Sequence, residues 1–229
     1  MAVNESFIDS AQLRQNVVSS AKLIGYTPRS VSASKAVVSI SIDRGSDTSE
    51  FYIVPRGSSF IANGTDMIQS GGYRFTNLDD LVFNINNGFV NNKVSLHQGK
   101  ILTKRIQINS SQDGNEYIIE DKNIDLSTLK VSVYQNGRSE INEVYNLFSD
   151  INAVDKNSPI YFLYENYNGN YVVSFGNGVF GKKPDNLNIL ELNYLVSDGS
   201  IANGFSSFTF SDNFQGFTNV LNIISSGKS

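Results

Sequence analysis

The feature that most limits how this chain can fold is the frequency of its turn signals. Arg44-Gly-Ser-Asp47, Asn63-Gly64, Gly71-Gly72, Asn87-Gly88, Asp113-Gly-Asn115, Asn136-Gly137, Asn168-Gly169, Asp198-Gly199 and Asn203-Gly204 punctuate everything after residue 43. Such pairs supply the positive φ angles of tight hairpins. Between them apolar residues recur with period two. Val38, Ile40 and Ile42 alternate with Ser39 and Ser41, and Leu129, Val131 and Val133 alternate with Lys130 and Ser132. Ile160, Phe162 and Tyr164 share a face, as do Tyr171, Val173 and Phe175, while Leu190, Leu192, Tyr194 and Val196 alternate with Glu191, Asn193 and Leu195. This pattern describes short, half-buried strands joined by hairpins.

Composition agrees and narrows the function. The chain has 229 residues, 40% hydrophobic and 17% charged, with 15 Phe and 11 Tyr. That is enough to bury a core as one large or two small domains. A net charge of -4 and a pI near 5.0 argue against a duplex-binding protein, which presents a basic face. No basic run exceeds two residues, Lys104-Arg105 and Lys182-Lys183 being the pairs. The absence of cysteine removes disulfides and thiolate metal sites. No signal peptide is visible, and no stretch approaches about 18 consecutive apolar residues.

One helix is expected, from Ser10 to Ile24. Asp9 stands at the N-cap with Gln12 at N3, and Ile8 and Leu13 occupy the positions of a hydrophobic staple. Leu13, Val17, Ala21 and Ile24 form one apolar stripe, Gly25 supplies a C′ residue, and Pro28 blocks continuation. The stripe must lie on this chain's own sheet or on another subunit, so it is a candidate interface. Leu78 to Phe83, and Val144, Leu147, Phe148 and Ile151, read equally as helical turn or strand. The expected class is therefore α+β, mainly β: an N-terminal helix and lead-in over 1–34, β modules of short antiparallel strands over 35–110 and 111–204, and a C-terminal strand or tail over 205–229.

Ser174-Phe-Gly-Asn-Gly-Val-Phe-Gly-Lys-Lys-Pro184 contains both a G-x-G-x-x-G and most of a G-x-x-x-x-G-K-[ST] pattern. Either nucleotide loop needs a helix after it, because the helix N-terminus presents amides and a positive dipole end to phosphate. Lys183 stands where the phosphate loop needs a hydroxyl. Pro184 disfavours the α conformation at Lys183, and the chain from Asp185 to Val196 reads as a turn followed by a strand. The loop, through Lys182, is thus expected to be structural: Gly176, Gly178 and Gly181 provide positive φ and close backbone approach, and Phe175 and Phe180 pack beneath.

His97 is the only histidine and lies in a turn-like context without a G-x-S-x-G elbow, which leaves no sign of a hydrolase triad. Asp79-Asp80 and Glu120-Asp121 are scattered rather than clustered with aromatic residues. Asp43 to Glu50 lacks calcium-loop spacing. No catalytic, cofactor-binding or metal residue is expected, and no cofactor.

Four stretches then carry a resemblance. Asn4-Glu-Ser-Phe-Ile-Asp-Ser-Ala-Gln-Leu-Arg-Gln-Asn-Val-Val-Ser-Ser-Ala-Lys-Leu-Ile-Gly-Tyr-Thr-Pro-Arg-Ser30 is followed in order by Ile53-Val-Pro-Arg-Gly-Ser58 with Tyr73-Arg-Phe-Thr76, by Asp125-Leu-Ser-Thr-Leu-Lys-Val-Ser-Val133, and by Ser158-Pro-Ile-Tyr-Phe162 with Tyr171 to Pro184. Together they resemble the baseplate J-like family, in particular baseplate wedge proteins of contractile-tailed phages, from residue 4 to at least 204. The resemblance implies a middle piece of a longer structural chain whose modules continue into a further domain. It implies a non-enzymatic virion component, assembled in the host cytoplasm, that binds other wedge subunits and a second copy of itself and helps transmit the sheath-contraction signal. It implies no nucleic acid, membrane or small-molecule partner. A receptor- or glycan-binding β module of a fibre or cell-surface protein is the alternative, distinguished by an exposed aromatic cluster in a concave site.

Overall fold

A computed structural model of the chain describes residues 29–43, 50–63, 72–84, 89–109, 116–136, 138–149, 154–166, 168–212 and 221–225. Among these residues there are fifteen strands, and the helical structure is a short 3-10 turn, Gly199–Ala202. The expected α+β class is corrected accordingly: the described protein is all-β. The physical reason is that period-two alternation runs through its long apolar segments, while short turns leave no room for a helix between strands. Within the two ambiguous segments, Leu81–Asn84 is a strand and Val144 to Leu147 is the end of another, while Ile151 lies outside the described residues. Tyr145 is buried and Val144 exposed, the signature of a strand with one face in the core. The helix expected over Ser10 to Ile24 lies outside the described residues.

The strands are β1 (Lys35–Asp43), β2 (Phe51–Val54), β3 (Ser59–Asn63), β4 (Tyr73–Thr76), β5 (Leu81–Asn84), β6 (Phe89–Gln98), β7 (Lys100–Gln107), β8 (Glu116–Ile119), β9 (Ile124–Gln135), β10 (Arg138–Leu147), β11 (Ile160–Glu165), β12 (Tyr171–Phe175), β13 (Ile189–Val196), β14 (Ser207–Phe210) and β15 (Leu221–Ser225). They form a six-stranded sheet β14-β3-β4-β6-β1-β15, a seven-stranded sheet β7-β13-β9-β10-β11-β12-β8, and a two-stranded ribbon β2-β5. The chain divides into two compact units. Unit one comprises residues 1–30, 103–122 and 129–194; unit two comprises 31–102, 123–128 and 195–229.

Unit two contains the six-stranded sheet and the ribbon. Ala36, Val38 and Ile40 of β1 are fully buried while Val37 between them is exposed, so the sheet has one covered face. Tyr52 and Val54 of β2 and Phe83 of β5 join Phe60, Phe75 and Leu96 of the sheet in a single core. Edge-to-face pairs tighten it, Phe75 with Phe208 and Phe60 with Phe210, both at 5.1 Å between centroids, a favoured geometry beyond simple burial.

Two clamps complete unit two. The turn Pro55 to Ser58 is held by Asn77, whose Nδ2 donates to the Pro55 (2.8 Å) and Asp79 (2.9 Å) carbonyls, and by Asp80, whose Oδ1 accepts from the Arg56 amide at 2.6 Å. Buried Asp125 accepts from the Ala33 amide at 2.9 Å through Oδ2, and from Ser127 N and Oγ at 3.0 and 2.6 Å through Oδ1. Two of the stretches that carried the family resemblance, Ile53 to Ser58 and Asp125 to Val133, thus include the residues that tie loops down.

Unit one has its core inside the seven-stranded sheet, with Ile119, Val131, Val133, Val173, Leu190 and Leu192 all buried. Phe175 lies edge-on to Tyr145 (5.0 Å) and Tyr117 (5.7 Å). The first and last strands of this sheet come within one side chain of each other: Lys104 Nζ on β7 donates to the Ile118 carbonyl on β8 at 3.2 Å. The sheet therefore curls towards closure, with one lysine covering part of the exposed edge, a common protection of unpaired strands.

Candidate functional site at the glycine loop

The glycine-rich stretch connects β12 to β13. Phe175 ends β12, residues 176–188 form the connection, and no helix follows Lys182. Positive φ angles occur at Gly178 (85°) and Gly181 (75°), conformations that residues with a Cβ rarely adopt. Gly176 has a different reason to be glycine. A Cβ there would stand 2.3 Å from the carbonyl carbon and oxygen of Gly181 and 2.5 Å from the Phe180 oxygen. Gly176 and Gly181 are the two sides of a pinch at which the backbone touches itself.

The pinch is held from inside and outside. Asn177 Oδ1 accepts from the amides of Val179 and Phe180, both at 2.9 Å, an Asx-type turn. Gly178 N donates to Gly181 O at 3.0 Å. Outside, the short loop before β11 provides two acceptors: Gly181 N donates to Asp155 O at 3.0 Å, and Lys182 N to Ser158 O at 2.8 Å. That loop is itself ordered by Asp155, whose Oδ1 accepts from Asn157 N and Ser158 Oγ, each at 2.8 Å. The Ser158 hydroxyl, followed by the Asn157 amide, holds the Asp155 carboxyl below its ordinary range. A Cβ on Gly181 would meet Ile160 Cγ1 at 2.8 Å, so β11 packs directly on the loop.

The two phenylalanines part company. Phe175 belongs to the unit-one core, whereas Phe180 is half-buried in an aromatic trio with Phe148 (5.7 Å) and Phe162 (6.2 Å), which are 5.2 Å apart. Val179 at the tip is 81% exposed. Lys182 pairs with the Glu143 carboxylate of β10 at 2.8 Å. Beside this pair lies a cleft of about 400 Å³, lined by Gln135, Glu143, Tyr145, Lys182, Asp185 and Asn188 among others. Its aromatic residue, Tyr145, is only 2% exposed, with its hydroxyl pKa pushed up by burial and then by Glu143; it offers no ring face on which a sugar could stack.

This geometry bears on phosphate. A nucleotide loop uses free amides and a following helix. Here the amides of Gly178, Gly181 and Lys182 are bonded to carbonyls, and the Lys182 ammonium is bonded to Glu143. Of the residues singled out in the sequence, Gly176 and Gly181 meet at the pinch with Gly178 between them, Lys182 follows it, and Phe175 and Phe180 pack in different places. Sequence reading missed Asp155, Ser158, Glu143 and the Asn177 side chain. The Asp155-Lys-Asn-Ser158 spacing is a turn signature that would have found the first two; the partner of Lys182 becomes visible only once β10 is placed beside the loop. The stripe Leu13, Val17, Ala21 and Ile24 lies outside the described residues.

Tyrosine hydroxyls elsewhere in unit one are structural. Tyr194 bonds to Asp121 and Tyr164 to Glu116, and in both the pKa is raised, by burial first and then by the carboxylate. Among the described residues no cluster of three or more His, Asp or Glu side chains is placed to hold a metal ion.

No protein-family model matches the chain. Among curated proteins it is 29% identical, over an alignment of 239 positions, to the baseplate wedge protein gp6 of Enterobacteria phage T4. The alignment covers 97% of this chain and 34% of that protein, so the chain spans about a third of the length of the curated relative it matches. The resemblance read from the four ordered motifs therefore extends over nearly the whole sequence: this chain is similar, end to end, to one segment of a phage baseplate wedge protein.

Proposed function

We infer that this chain is a structural part of a phage tail baseplate, without catalytic activity, and that it works by holding protein surfaces in fixed relation. The observation that carries this reading is the similarity to a wedge protein along 97% of the chain. The glycine loop supports it physically. A segment with its amides internally bonded and its glycines pinched backbone to backbone is built for shape rather than turnover. The finer reading is that the chain meets other wedge subunits and a second copy of itself in the virion tail, after assembly in the host cytoplasm, and passes the trigger for sheath contraction through rigid β modules. Proteins that assemble in this way use symmetric, repeated contacts.

The experiment is a complementation. Lysates from cells in which the gene is interrupted should contain tails arrested before baseplate completion, and purified full-length protein added to them should restore complete, contractile tails. Complete baseplates in the absence of the protein would overturn the reading.

A further inference from the structure

The sequence holds six Asn-Gly pairs, and three of them, Asn168-Gly169, Asn177-Gly178 and Asn203-Gly204, lie wholly among the described residues. An asparagine before glycine can modify itself, because no Cβ hinders approach of the glycine amide to the side chain. The glycine nitrogen attacks Asn Cγ and a new N–Cγ bond forms. The Cγ–Nδ2 bond then breaks, and Nδ2 leaves as ammonia with the proton from the glycine amide. Water opens the resulting cyclic imide at either carbonyl, giving aspartate or isoaspartate. The reaction needs a glycine N–H that is not engaged and an asparagine side chain free to turn.

The three pairs differ in these respects. Gly169 N donates to Asn166 O at 3.0 Å. At Asn177, Gly178 N is bonded to Gly181 O, and the side-chain oxygen is held by two further amides at 2.9 Å. Asn203 follows the 3-10 turn, its own amide bonded to Ser200 O at 3.1 Å. Its side chain and the Gly204 amide make no hydrogen bond among the described residues. Both residues are exposed, and nothing lies within 4 Å of the place a Gly204 Cβ would occupy.

We propose that Asn203-Gly204 is a site of spontaneous deamidation in the folded protein, and that the fold protects Asn177 and Asn168. The consequence is local and structural. Isoaspartate lengthens the main chain by one methylene and adds a carboxylate two residues before Phe205, whose ring packs on Tyr73 at 5.4 Å. That segment leads into β14, an edge of the six-stranded sheet, so modification loosens the anchoring of that edge.

The test is peptide mapping by mass spectrometry, with enzymatic isoaspartate labelling, after incubating the folded protein in mildly alkaline buffer. Each hydrogen bond that must open slows attack by roughly two- to tenfold. The Asn203 peptide should therefore convert at least about tenfold faster than the Asn177 peptide, and faster than the Asn168 peptide. In concentrated urea the three rates should converge. Asn203→Gln should abolish labelling of its peptide without moving the urea midpoint. Equal rates at Asn203 and Asn177 in the folded protein, or an Asn203 that converts only in urea, would overturn the proposal.

Discussion

At the scale of single residues, the glycine loop separates two reasons for glycine. Gly178 has a positive φ but open space for a side chain, since a Cβ there would meet Lys183 Cβ no nearer than 3.9 Å, so Gly178→Ala should cost only the left-handed penalty of about 1 kcal/mol. Gly176→Ala forces a Cβ against backbone that cannot yield and should cost upwards of about 2 kcal/mol, visible as a lower urea midpoint. A smaller effect at Gly176 than at Gly178 would show that the pinch is not rigid. Lys182→Met gives the converse case: its pair with Glu143 is about 40% exposed on both sides, so its loss should change stability by less than about 1 kcal/mol. At Asp125 the expectation reverses. Asp125→Ala strands the Ala33 and Ser127 amides and should cost about 1–3 kcal/mol in the same assay.

At the scale of elements, the ribbon β2-β5 shows how much of the fold was legible and where legibility stopped. Alternation alone predicts that Tyr52 and Val54 face one way and Phe51 and Ile53 the other, and that is what the burial shows. Which side is inside follows only from the sheet that covers it. Phe83→Ala should therefore destabilise by about 3–5 kcal/mol, whereas Val82→Ala, one residue away but exposed, should stay within about 0.5 kcal/mol. Leu78 to Phe83 read equally as helix or strand because a short apolar run carries too few periods to decide. Pairing with β2 decides it. The Asp155 turn has a local signature, but its bonds to Gly181 and Lys182, like the engagement of Asn77 and Asp80 with the turn at Pro55, were not legible, because those partners are remote in sequence.

His97 gives the six-stranded sheet a pH dependence. Its Cα partners are Lys35 on β1 and Thr76 on β4. Among the described residues, neither its buried Nδ1 nor the buried Thr76 hydroxyl has a hydrogen-bond partner. Burial first, and Lys35 second, lower its pKa from 6.5, against weaker opposite effects of Asp125 and Asp79. The folded state thus disfavours the proton relative to the unfolded chain. Stability from this site is present above pH 6.5 and is lost as pH falls from there through the lowered folded value. The urea midpoint should drop over that range in the parent protein and drop less in His97→Gln; parallel curves would remove His97 from the account.

At the scale of the whole molecule, the chain is made of two β units, and its family-like motifs after residue 50 include loop clamps, at Pro55 to Ser58, at Asp125 and at the glycine loop. Ser158 to Phe162 and Tyr171 to Pro184, the two parts of the last match in the sequence, are one assembly in space, Ile160 of β11 lying under the glycine loop. Spacing could exclude the nucleotide readings of SFGNGVFGKKP through Pro184, but it could not supply the positive explanation, which depends on a backbone contact between Gly176 and Gly181. We propose that this assembly serves a tail structure. Its most direct test is electron microscopy of intact contractile-tailed particles labelled with gold-conjugated antibody against this chain. Label is expected at the end of the tail distal to the head, on the baseplate, in extended and contracted particles alike. Label confined to fibres, or particles that carry none of the protein, would contradict it.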